Sequence, residues 1–270
     1  MAIELGILGA GNMAEAIARG VLRGGLLRAD QILASDVSPQ RRELFNSTLG
    51  IRAIDENRTV ARQSPVLLLS VKPQYMGEVL AGIRDVARAD ALIVSIAAGV
   101  STRFIESQLG GQTPRRVIRA MPNTPMLVGE GMVALARGQH AAAQDVQLAR
   151  GLFEAAATVI ELTEDKLDAV TAVSGSGPAY FFYLVEQLIA AAVELGLAPD
   201  EARQLAVKTA VGAAKMLATS ADSPQELRRK VTSPAGTTHA AITHLEKHDT
   251  AATLVAAVKA AAHRSRELGN

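Results

Sequence analysis

A short polar stretch, Thr232-Ser233-Pro234-Ala235-Gly236-Thr237, lies between two helical patterns and gathers the hydroxyl and amide groups that could hold an anion. Pro234 and Gly236 break the helical path, and a threonine at the start of the next helix can cap it while the first N–H groups point outward. Taken alone, the same stretch also reads as a capped helix-helix turn. A second set of candidates follows the apolar run Ile3 to Leu8: Gly9-Ala10-Gly11-Asn12-Met13-Ala14, leading into an alanine-rich helical pattern. In a strand, glycine turn and helix of this kind Gly9 permits the tight turn and Gly11 lets backbone approach a pyrophosphate. The small Ala14 lets the helix sit close on the strand. Gly9, Gly11, Asn12 and Met13 are therefore candidate dinucleotide contacts.

Other chemistries find no support. The chain has no cysteine, which excludes disulfides and thiolate metal sites. Its histidines, at 140, 239, 244, 248 and 263, form no His-Glu-x-x-His stretch, and no close carboxylate set appears, so no metal site is expected. Ser174-Gly175-Ser176-Gly177-Pro178 has neither the preceding strand nor the following lysine of a phosphate loop, and lacks the setting of a serine-hydrolase elbow. It reads as a glycine-rich helix break that admits the nicotinamide end of a cofactor, with Ser176 as the candidate contact. Hydride transfer asks the protein mainly for orientation and electrostatics. Reducing a ketone would also call for a proton donor near the carbonyl. β-Hydroxyacid dehydrogenases carry a lysine on the helix after such a break, whereas Tyr180 to Leu184 offer none. A protonated imine is already electrophilic, and a hydroxyl with a few N–H groups suffices for it.

The elements that must position these groups alternate through the first half. Strands are expected at Gln31 to Ser35, near Arg52 to Ile54, and at Val66 to Ser70, Leu92 to Ile96 and Val117 to Arg119, with helices between them and Thr158 to Leu162 closing the sheet. Ligands of open parallel sheets bind beyond the carboxyl ends of the strands. Val71, Lys72 and Pro73, then Ala97 and Gly99, then Pro122 and Asn123 thus join the glycine turn at one crevice. Beyond the second strand, Asp36 could accept from a ribose 2'-hydroxyl and repel a 2'-phosphate, while Ser35, Arg41 and Arg42 could receive that phosphate; NADP and NAD both remain open.

With 270 residues and 49% hydrophobic content, the chain is long enough for two domains with cores. The expected fold class is α/β: a Rossmann-type doubly wound sheet over 1–162, followed by an all-α helical domain over 163–270 for substrate binding and dimerisation. A net charge of +1 gives no general affinity for nucleic acid or anionic membrane. Neither a signal peptide nor a long apolar span is apparent, so a cytoplasmic protein is expected. In the second half, Tyr180-Phe181-Phe182-Tyr183 groups half of the chain's three Tyr and five Phe. Consecutive aromatics cover all sides of a helix, so one face is expected to meet a second subunit.

Val231-Thr232-Ser233-Pro234-Ala235-Gly236-Thr237-Thr238 resembles the signature loop of the pyrroline-5-carboxylate reductases. The resemblance extends to Gly-Ala-Gly-Asn-Met-Ala at 9–14, Ser-Val-Lys-Pro-Gln at 70–74, Ala-Ala-Gly-Val at 97–100, Met-Pro-Asn-Thr-Pro at 121–125 and Asp-Ala-Val-Thr-Ala-Val-Ser-Gly-Ser-Gly-Pro-Ala-Tyr at 168–180. Ala235 departs from the glycine often found there. The resemblance implies reduction of L-1-pyrroline-5-carboxylate by NADPH, or by NADH, as the last step of proline synthesis. It implies that Ser233 and the backbone of Gly236, Thr237 and Thr238 hold the substrate carboxylate, with the Thr238 hydroxyl at the ring nitrogen and Asn57 at the adenosine ribose. It further implies intertwined homodimers, often assembled into decamers, with the loop meeting the cofactor from a partner chain. The rivals are a reductase of another cyclic imine or a β-hydroxy acid, and a non-catalytic NADP-sensing protein.

Overall fold

The computed structural model describes residues 2–111 and 114–268. The chain runs β1 (Leu5–Leu8), α1 (Asn12–Arg23), β2 (Ile32–Ser35), α2 (Pro39–Thr48), β3 (Arg52–Ile54), α3 (Asn57–Gln63), β4 (Val66–Leu69), α4 (Met76–Ile83), β5 (Leu92–Ser95), α5 (Thr102–Leu109) and β6 (Arg116–Met121). It continues through β7 (Gly131–Arg137), α6 (Ala143–Gly151), β8 (Ala157–Glu161) and α7 (Leu167–Val170) to α8 (Gly177–Glu194), α9 (Pro199–Thr219), α10 (Pro224–Lys230), α11 (Thr237–Lys247) and α12 (Thr250–Leu268).

The strands form one sheet in the order β3-β2-β1-β4-β5-β6-β7-β8. β1 to β6 pair in parallel, and β7 runs antiparallel to β6. The chain builds outward from β1 to β3 and then returns to lay β4 on the other side of β1, so the order reverses there, at the place where such sheets open a crevice. Register aligns the strand ends: Leu8 lies beside both Ser35 and Leu69, Leu69 beside Ser95, and Ser95 beside Arg119. Leu67, Leu68 and Leu69 of β4 are all buried because both faces of the sheet are covered. α1, α2 and α6 close one face around Ile17, Phe45 and Val146; α3, α4 and α5 close the other around Val60, Leu80 and Ile105.

Two elements add to the expected alternation. β7 and α6 occupy the segment between Met121 and Ala157 for which the sequence suggested no element. β7 reads Gly-Met-Val-Ala-Leu-Ala-Arg; its residues from Val133 to Ala136 are buried, so it shows no polar alternation, and its alanines are weak strand formers. α3 begins at Asn57, just after the short strand β3, and a 3-10 turn, Pro73–Tyr75, precedes α4.

The chain divides into two compact units, residues 1–176 with 261–270, and residues 177–260. The sheet ends at Glu161, yet the segment after it stays with the sheet unit. Leu167 is buried with Ala134 and Ala136 of β7, and Asn123 Nδ2 donates to the Ser174 carbonyl (3.0 Å). In the second unit α8 packs along α9. Ala202 and Ala206 are the buried residues of α9, while Phe181, Phe182 and Tyr183 of α8 are 64%, 69% and 65% exposed. Among the described residues no helix is long and apolar enough to cross a membrane.

Candidate active site

The glycine turn after β1 is shaped by strict local requirements. Gly9 has φ +94°, and a Cβ there would lie 2.8 Å from the Ser70 carbonyl oxygen at the end of β4. Only glycine meets both conditions without strain. Its N–H donates to the Ser35 carbonyl (2.8 Å). Gly11 stands at the N-cap of α1 with no side chain capping the helix, and a Cβ on it would meet nothing within 4 Å. The amides of Asn12 and Met13 therefore open α1 toward unobstructed space, the arrangement that binds a pyrophosphate through N–H groups and the helix dipole.

The turn is braced from behind. Ala10 N–H donates to Asp36 Oδ2 (2.7 Å), and Arg41 Nε donates to the Ala10 carbonyl (2.5 Å). Glu15 accepts from Arg19 Nη2 and Arg41 Nη2, both at 2.8 Å. Burial raises the affinity of the Glu15 carboxyl for its proton, but hydrogen bonds from Arg19 and Arg41 outweigh this and hold it below its ordinary value of 4.5. Its contribution to stability is thus present above pH 4.5 and is lost as pH falls through the depressed folded value.

At the end of β2 the structure sorts the candidates that the sequence left together. The expectation that the Ser35 hydroxyl faces a 2'-phosphate is corrected: Ser35 is wholly buried and its hydroxyl donates to Asn57 Oδ1 (2.7 Å). All four residues of β2 are buried, because both faces of the sheet are covered there. Asn57, half-buried at the start of α3, keeps its amide nitrogen for another acceptor. Asp36 holds the amides of Ala10 and Ser38 (2.7 and 2.8 Å), which makes its carboxylate a brace of the turn. Arg41 is engaged by Glu15 and Ala10, whereas Arg42 Nη1 rests on the carbonyls of Asp36 (2.8 Å) and Val37 (3.0 Å).

The other lips follow β4, β5 and β6 on the same edge. Val71 and Pro73 are half-buried and Lys72 is exposed; Ala97 is buried and Gly99 has φ +79°. Pro122 and Asn123 are buried. Asn123 does not present a free amide, because Oδ1 accepts from Met132 N–H (2.8 Å) while Nδ2 holds the Ser174 carbonyl. The expected glycine-rich break is a π-helical turn, Thr171–Gly175, closed by Ser176 N–H donating to the Thr171 carbonyl (2.7 Å). Such widened turns recur at functional sites. A Cβ on Gly175 would lie 2.7 Å from Met121 Cε, so glycine sets the close approach of this turn to the end of β6.

Ser233, Gly236, Thr237 and Thr238 lie in the helical unit. Contrary to the expected threonine cap, Gly236 is the N-cap of α11, with no side chain capping the helix; Thr237 is already its first residue. Gly236 N–H closes the turn on the Ser233 carbonyl (3.0 Å). The first α11 amides are thus left without a side-chain acceptor, and among the described residues none hydrogen-bonds to the hydroxyls of Ser233, Thr237 or Thr238. Thr232 instead donates to the Arg228 carbonyl (2.7 Å). Ala235 has φ +57°, a left-handed conformation that explains why glycine suits the position. Nearby cations are paired: Arg229 with Glu226 and Lys230 with Asp222. The first amides of α11 are therefore the loop's uncommitted donors. Among the described residues no group of three or more metal-ligating side chains gathers.

Residues 164–268 match the family model for pyrroline-5-carboxylate reductase dimerisation, and residues 4–99 the model for NADP oxidoreductase, coenzyme F420-dependent. The pyrroline-5-carboxylate reductase of Pisum sativum is 40% identical over 264 residues, covering 98% of this chain and 95% of that protein. The chain belongs to the pyrroline-5-carboxylate reductase family. Solved members share its whole fold. The Plasmodium falciparum pyrroline carboxylate reductase with NADP bound matches with a TM-score of 0.89 at 29% identity, covering 99% of this chain and 98% of that one. The pyrroline-5-carboxylate reductase of Coxiella burnetii matches with a TM-score of 0.88 at 34% identity, covering 100% of both. Two features of the site join residues far apart in the sequence: the bracing of the glycine turn by Asp36 and Arg41, and the commitment of Asn123 to the π turn. The Glu15 and Arg19 spacing on one helix face was the only local signal of the brace.

Proposed function

We propose that the chain reduces L-1-pyrroline-5-carboxylate to L-proline with NADPH, the last step of proline synthesis, as a cytoplasmic homo-oligomer. The observation that carries this reading is the start of α11, where uncapped amides and unpartnered hydroxyls meet in one short loop. The substrate has one carboxylate and one ring C=N, and the loop has a group for each. The amides of Thr237 and Thr238, together with Gly236 and the Ser233 hydroxyl, hold the carboxylate. Thr238 Oγ1 accepts from the protonated ring nitrogen and is the residue in contact with the reacting bond.

NADPH, when bound, supplies the hydride. The residues of the sheet unit bind and orient it: Gly9, Gly11, Asn12 and Met13 at the pyrophosphate, Asn57 at the adenosine ribose, and Val71, Lys72, Pro73, Ala97, Gly99, Pro122, Asn123 and Ser176 along the path. Arg42 replaces Ser35 and Arg41 as the cation for the 2'-phosphate, because its guanidinium is held at the end of β2 by two carbonyls rather than by a carboxylate. The imine reacts protonated. Addition at its carbon sends the C=N electron pair to nitrogen and leaves a neutral amine, so no side-chain acid is needed.

The exposed aromatics of α8 give the oligomer its contact surface. In this reading the copies intertwine as a dimer, the unit from which a decamer is built, and the loop of one copy serves the cofactor of its partner. The test is oxidation of NADPH and NADH with racemic pyrroline-5-carboxylate and with six-membered imines, alongside reduction of NADP and NAD by β-hydroxy acids. Turnover of the five-membered imine, faster with NADPH, supports the reading. Cofactor binding without turnover, or preference for another substrate, overturns it.

A further inference from the structure

We propose that a buried cluster built on Arg119 positions the nicotinamide end of the crevice, and that Ser265 sets its geometry. This rests on the reading above that the π turn and Ser176 border the cofactor. Arg119 lies on β6 just before the Met121-Pro122-Asn123 lip, and its side chain is 6% exposed. It faces two carboxylates and hydrogen-bonds only one of them, Glu164. Nη1 is 3.4 Å from Glu164 Oε1, and Nη2 is 4.0 Å from Asp168 Oδ1 and lacks any hydrogen-bond partner. A buried guanidinium N–H left unpaired is costly, so something must keep Asp168 away from Nη2.

Each acid is held elsewhere. Glu164 accepts from the Thr102 amide (2.8 Å) and hydroxyl (2.6 Å) at the start of α5, the helix that follows the Ala97 to Gly99 lip. Asp168 Oδ1, on α7, accepts from the Ser265 hydroxyl (2.7 Å), and Ser265 is buried near the end of α12. The lips at 97–99, 121–123 and 171–176 therefore all lead into the same five side chains. Ser265 holds Asp168 back from Nη2. Without its hydroxyl, Asp168 closes onto the unpaired N–H of Arg119 and carries α7, and with it the π turn that starts at Thr171, toward β6.

Ser265 is thus a positioning residue that acts through Asp168. A shift of this turn misplaces the nicotinamide while leaving the glycine turn and the adenosine end untouched. Misplacement of reacting atoms lowers the rate of the chemical step more than it lowers binding. The Ser265→Ala variant is expected to lose about tenfold in kcat with KM for NADPH within about twofold of wild type. The isotope effect with NADPH deuterated at the transferred position should rise, and Ser265→Thr should restore both values. A loss of folded molecules alone would lower the number of active sites and leave the isotope effect unchanged, so that outcome overturns the proposal. So does a Ser265→Ala enzyme with wild-type kcat and isotope effect, and in that case the functional reading survives. Failure of the wild-type chain to oxidise NADPH with pyrroline-5-carboxylate overturns the functional reading and this inference together.

Discussion

In the sheet unit Phe45 and Phe153 are fully buried between a strand layer and its covering helices, whereas in the helical unit Phe181 and Phe182 stand exposed on α8. The first unit gathers its core from its own elements. The second has apolar helices of ample length but too little of its own chain to cover them, since α10 and α11 bury no residue at all. Burying a phenylalanine side chain is worth about 1.5–3 kcal/mol, so an exposed pair of them on one helix is a strong drive toward a further layer. A match to a dimerisation model over 164–268 agrees that this layer is another chain. The contrast assigns the units different duties: one closes its core by itself and carries the crevice, and the other leaves apolar side chains exposed for a partner.

Substitutions can break that contrast, and the largest effect is expected on the exposed face. Phe182→Glu places a charge where a partner should pack, and should cost about 4 kcal/mol or more of association energy. Sedimentation should then give a smaller species that still binds NADPH through its intact sheet; an unchanged mass would end the idea that this face is a subunit contact. Gly9→Ala attacks the self-sufficient unit instead. The methyl meets the Ser70 carbonyl in a left-handed backbone, and a loss of about 3 kcal/mol in thermal stability together with weak NADPH binding is expected, with the oligomer retained.

Next comes Thr238→Ala, which should lower kcat with pyrroline-5-carboxylate by about a hundredfold while the Kd for NADPH, read by fluorescence titration, stays put. Equal loss of both would contradict the division of duties. Arg42→Gln should reduce kcat/KM about tenfold for NADPH and leave NADH unaffected, as a charge-assisted phosphate contact requires. The smallest effect is a gain. Ala235→Gly relieves a left-handed alanine and should raise stability by about 0.5 kcal/mol, the part of the strain not offset by the greater freedom of glycine in the unfolded chain.

What could be read from the sequence was local. The glycine turn announces itself by a strand before it and a helix after it, and β4 by an unbroken apolar run. The loop before α11 is marked by Pro234 and Gly236, although its cap proved to be the glycine rather than a threonine. β7 was hidden by an all-apolar, alanine-containing run that lacks any period, and α6 begins at Ala143 with Ala142 at its N-cap in place of a Ser, Thr, Asp or Asn. The direction of the Ser35 side chain depends on a pairing with Asn57 across 22 positions, and the Arg119 cluster on a contact between Asp168 and Ser265 across 97. No window along the chain contains such information, because the sheet creates those neighbours.

The brace beneath the glycine turn has a consequence for anyone redesigning the cofactor preference. The acidic residue after the second strand is the customary handle for exchanging NAD and NADP use in this fold. In this chain the same carboxylate carries the amide of Ala10 and orders the start of α2 through Ser38. Exchanging Asp36 for a neutral or basic residue would therefore remove the acceptor of two backbone amides and loosen the glycine turn in one stroke. Library design should hold Asp36 fixed and vary Val37, which is exposed, and Arg42, so that preference changes without loss of the scaffold that reads the cofactor's other end.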